Sequence, residues 1–94
     1  MDALFGSAAV QHWAQHQLAP LLTEDASPLL TTLVTWLDNN AHVDATAAAL
    51  EISAPGVRKR LLRIEGLLQR SLLHGPSVRH DLWLALRIHN GQYW

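Results

Sequence analysis

Apolar residues recur at helical spacing along this chain, most clearly between Val57 and Leu68. Val57, Leu61, Ile64 and Leu68 stand at 0, 4, 7 and 11, which places them on one stripe of a helix. Leu30, Leu33, Val34 and Leu37 follow i, i+3, i+4, i+7 and predict a second helix with one buried face. Ser27-Pro28 marks its start, with serine as cap and proline in the first turn. Asn39-Asn40 marks its end, because asparagine tolerates the left-handed conformation that closes helices. A helix is expected from Asp2 to about Gln17, with Leu4, Phe5, Ala8, Ala9 and Trp13 on its apolar face and Pro20 ending or bending it. Thr23 to Ala26 reads as an acidic loop.

Asp44 is expected to cap a short alanine-rich helix through about Leu50. Glu51-Ile52-Ser53 reads as a turn, with Ser53 capping the Val57 helix and Pro55 in its first turn. Gly75-Pro76 breaks the chain again. Ser77 is expected to cap a last helix, Val78 to about His89, with Leu82, Ala85 and Leu86 inward. The pattern therefore predicts an all-α chain of about five helices and no strand. Residues 1–22 form an N-terminal helix or linker, and residues 23–94 form the main domain.

The middle segment, Asp44 to Leu68, has the grammar of a helix-turn-helix, whose second helix can lie in a DNA major groove. Ala47 lets the two helices cross closely. Leu50, Ile52, Val57 and Leu61 pin them, so Arg58, Lys59, Arg60 and Arg63 fall on outward or flanking positions. An arginine fork matches phosphates and guanine edges alike. The alternative reading is a solvated basic face on ordinary bundle packing.

Length and composition fit this picture. Ninety-four residues with 49% apolar content suit one domain with a modest core. No apolar run is long enough to span a membrane, and no secretory signal is visible. Zero cysteines exclude disulfides and make a cytoplasmic setting the default. The net charge of −1 hides a strong asymmetry. Arg58, Lys59, Arg60, Arg63 and Arg70 face one acid, Glu65, within residues 54–70, whereas seven acids face only Arg79 and Arg87 elsewhere. DNA responds to the local field, within about 10 Å at moderate salt.

From about Leu18 to Ile88 the chain resembles the C-terminal helix-turn-helix domain of PucR/CdaR-type bacterial regulators. The resemblance runs through LAPLLTED, LLTTLVTWLDNNAHVDATAAALEIS, VRKRLLRIEGLL and DLWLALRI, in order and spacing. The central part is also similar to Fis-like units. The resemblance implies a three-helix DNA-binding core with flanking helices. It further implies the output end of a transcription regulator, with effector-sensing domains upstream and residues 1–17 as the tail of such a domain or linker. No cofactor is implied.

Two departures from the family pattern stand out. Ala54, Pro55 and Gly56 occupy the helix tip where polar side chains usually read bases, and Leu62 stands where a basic or polar residue is common. The DNA-contacting set expected here is Ser53, Ala54, Pro55, Arg58, Lys59, Arg60 and Arg63. Ala54 and Pro55 would allow apolar contact with a thymine methyl, and Arg58, Lys59 and Ser53 would do the polar reading.

Other chemistry is weaker. His12 and His16 share a helix face but lack a third ligand, so a metal site is not expected. No serine stands beside a base, and no glycine-rich phosphate loop occurs, so an enzyme is not expected. Trp36 suits the core. Trp83 with Leu4, Phe5 and Trp13 could form an exposed patch for homodimerisation, as in regulators that read two half-sites. A helix-turn-helix kept only as a protein-interaction or dimerisation module is the alternative function.

Overall fold

Alternation of apolar stripes with capping and breaking residues produces five α-helices in the computed structural model, which describes residues 8–72 and 76–89. They are α1 (Ala8–Leu18), α2 (Ser27–Asp38), α3 (Val43–Leu50), α4 (Ala54–Leu68) and α5 (Pro76–His89). Two 3-10 turns, Ala19–Leu21 and Glu24–Ala26, connect α1 to α2. No strand occurs among the described residues, so the chain is all-α as the pattern predicts.

α2 is the central rod. It touches α3, α4 and α5, while α1 lies along α5 and α3 along α4. The core joins Leu29, Leu33 and Trp36 of α2 to Val57, Leu61 and Ile64 of α4, and to Leu82, Ala85, Leu86 and Ile88 of α5. Ala14 and Leu18 of α1, and Leu21 and Leu72 from the connections, complete it. Each fully buried leucine or isoleucine contributes about 1.5–3 kcal/mol relative to an exposed one.

The buried face of α2 is rotated from the predicted one. Leu33 is buried as expected, but Leu30, Val34 and Leu37 are only half-buried, and Leu29, Thr32 and Trp36 lie inside. The two apolar sets overlap and differ by one residue, roughly 100° around the helix. Trp36, the largest of these side chains, takes the centre. Thr32 can follow it inward because its hydroxyl donates to the carbonyl of Pro28 at 2.8 Å.

Three caps also differ from expectation. Ser27 is already helical and donates its N–H to Glu24; Ala26 is the cap residue, and Thr23 caps the preceding turn by accepting from the Ala26 amide at 3.3 Å. His42, extended, precedes α3, so Asp44 lies inside its first turn, where its charge favours the helix dipole. Ser77 lies within α5 rather than before it. In α1 the inward residues are Val10, Trp13, Ala14 and Leu18, while Ala8 and Ala9 are exposed. Leu4 and Phe5 lie outside the described residues. The Asn39-Asn40 stop holds, with Asn40 at φ 56° and Ala41 at φ 62°.

Candidate nucleic-acid interface

α3 and α4 meet at a turn built by one left-handed residue. Glu51 adopts φ 58°, and the Ile52 amide reaches back to the Ala47 carbonyl at 3.1 Å. This closes α3 and reverses the chain within two residues. Ala47 is buried where the helices approach, and Ile52 packs against the core. Ser53 then caps α4 by accepting from the Gly56 amide at 3.1 Å. A Cβ at Gly56 would come within 3.1 Å of that same hydroxyl oxygen, so the glycine keeps the cap uncrowded.

Burial of Val57, Leu61 and Ile64 fixes which way α4 faces. Arg58, Lys59 and Arg63 are exposed, and among the described residues they form no ion pair. Pro55 and Ser53 are exposed at the tip, while Ala54 is half-buried against the core.

Arg60 behaves differently. It is half-buried, and its Nη1 donates to the Thr32 hydroxyl oxygen at 3.2 Å. Thr32 thus links α4 to the first turn of α2 through its two hydrogen bonds. Sequence reasoning did not find Thr32 as a partner; the available signal was a hydroxyl set within the leucine-rich face of α2. Lys59, Arg60 and Arg63 line a groove of about 340 Å³ with Asp25, Pro28, Leu29 and Gly56. Three cations against one carboxylate leave the groove positive.

Arg70, counted with the basic cluster in the sequence, belongs to the body of the domain. Its guanidinium donates to the Gln17 side-chain oxygen of α1 and pairs with Asp81 of α5 at 3.2 Å. Glu65 also looks inward along the chain, accepting from the Leu72 amide at 2.6 Å.

The remaining candidates are dispersed. His12 and His16 are exposed on α1, and among the described residues no three metal-ligating side chains converge. Trp36 is buried in the core. Trp83 is half-buried, stacked by His80 at 6.1 Å and approached by the Arg87 guanidinium at 4.9 Å. Of the other members of the expected patch, Trp13 is half-buried and packed against the core, and Leu4 and Phe5 lie outside the described residues. No described helix is long and apolar enough to cross a membrane.

Among known proteins, the family model of the PucR C-terminal helix-turn-helix domain matches residues 29–88, from the first turn of α2 to the last turn of α5. No curated protein and no solved structure matches the chain.

Proposed function

This chain belongs to the PucR C-terminal helix-turn-helix family, and from that premise we propose that it binds double-stranded DNA sequence-specifically as the output domain of a bacterial transcription regulator. One observation carries the reading. Arg58, Lys59 and Arg63 are exposed on α4 outside its core stripe, without internal carboxylate partners among the described residues. A helix carrying exposed cations after a tight turn suits the major groove, with the cations on flanking phosphates. Arg60, held by Thr32, adds a pre-oriented fork beside them. Ser53, Ala54 and Pro55 stand at the N-terminal tip of the same helix.

The full regulator then carries an upstream sensor domain, works in the cytoplasm, and pairs as a homodimer on half-sites about 34–36 Å apart. Nothing in the binding reaction requires a cofactor or catalysis.

Fluorescence anisotropy with a labelled random duplex tests the reading. Binding at about 50 mM salt that weakens steeply toward 200 mM supports it. The second reading, a protein-interaction module, is favoured by Leu62 and Leu67, which are 60% and 44% exposed on α4. Self-association without duplex binding selects that reading instead.

A further inference from the structure

The exposed face of α4 carries two residues that the fold itself does not explain. Leu62 is 60% exposed, although the core stripe of this helix is already complete. Gly66 lies inside the same helix and is exposed. Glycine destabilises a helix interior relative to alanine. A Cβ at Gly66 would meet nothing within 4 Å. The domain therefore gives no packing reason for the missing side chain.

Position and charge indicate what this face can meet. Leu62 follows Arg58 by four residues and Lys59 by three, and Gly66 follows Leu62 by four and Arg63 by three. Residues at these spacings are neighbours on a helix surface. The apolar line Leu62–Gly66 thus runs between cations that have no ion-pair partner among the described residues. A polyanion fits that frame. Among base edges in a major groove, the apolar group on offer is the thymine C5-methyl. The bare tip, Ala54-Pro55-Gly56, offers almost no side-chain donors, which moves readout toward the middle of α4.

We propose that Leu62 is a specificity-determining residue that packs on a thymine methyl, and that Gly66 lacks a side chain so that the backbone of α4 can come close enough for that contact. The proposal rests on the DNA-binding reading and adds to it which side chain discriminates and which base it favours. Leu62 thereby turns from a departure from the family pattern into the part of the helix that sets this member's preference.

The test uses the whole chain and duplexes selected from a randomised pool. Each selected site is resynthesised with deoxyuridine for thymidine, one position at a time, which removes only the methyl. Wild type should lose about fourfold in affinity at one or two positions, the weight of one buried methyl. Leu62→Ala should bind thymidine and deoxyuridine sites equally. Gly66→Ala should raise the melting midpoint by about 4–8 °C, because it removes the helix-interior glycine. It should also lose the methyl discrimination. Discrimination absent from wild type, or retained in full by Leu62→Ala, overturns the proposal while DNA binding stands. A Gly66→Ala chain that keeps both affinity and discrimination overturns the role of Gly66. A wild type that binds no duplex at low salt overturns this proposal together with the reading beneath it.

Discussion

Arg60 of α4 donates from Nη1 to the hydroxyl of Thr32, buried on α2, at 3.2 Å. One hydroxyl thereby serves two ends. It satisfies the Pro28 carbonyl and also fixes a cation at the edge of the exposed face. The relationship couples the position of α4 to the central helix, so the placement of this cation and stability share one atom.

Thr32→Val keeps the shape and removes that atom. The variant should lose about 0.5–1.5 kcal/mol, the usual net worth of such hydrogen bonds. Urea unfolding measures it. An unchanged midpoint would show that Arg60 is held by its surroundings and not by Thr32.

Ser53→Ala removes the acceptor for the Gly56 amide. An N-cap of this kind contributes about 1 kcal/mol, within a range of about 0.5–2. Thermal unfolding followed by circular dichroism should show the loss. Stability equal to wild type would mean that solvent caps α4 as well as serine does.

Arg70→Ala separates structural from DNA-facing charge. Its pair with Asp81 is partly exposed, 30% and 43% for the two side chains. Solvent therefore screens it, and the loss should be about 0.5–1 kcal/mol. The salt dependence of duplex binding should stay as in wild type. A reduced slope would place Arg70 on phosphate and contradict its role as a tie between α1, α4 and α5.

Ile64→Ala hollows the core beneath the exposed cations. Ile64 is fully buried in α4, so the variant should lose about 2–5 kcal/mol. Chemical denaturation reads the change. A loss under about 1 kcal/mol would mean that α4 is not anchored by its inward stripe.

Local features of this fold were legible in the sequence. The stripe Val57–Leu61–Ile64, the Ser53 cap, the alanine crossing at Ala47 and the left-handed Asn40 depend on neighbours a few residues away, and the structure has each of them. The face of α2 was ambiguous because two apolar registers overlap; choosing between them requires knowing that three helices pack around it. Cap assignments failed at Ser27, Asp44 and Ser77 because each of these residues lies within its helix rather than before it. The fates of Arg60 and Arg70 were not legible at all. Their partners lie 28 residues away at Thr32, and 53 and 11 residues away at Gln17 and Asp81. A basic run states how many cations exist, and only the packed structure states which of them face outward.

The salt dependence of duplex affinity, compared between wild type and a triple Arg58→Ala, Lys59→Ala, Arg63→Ala variant, tests the central claim most directly. If three or four cations neutralise phosphates, wild type should show a log–log slope of about −2.7 to −3.6 per domain. That slope amounts to about 40- to 150-fold weaker binding at 200 mM salt than at 50 mM. The triple variant should bind weakly, with a slope closer to zero by about three units. A variant that keeps the wild-type slope would contradict the claim that this face of α4 meets DNA.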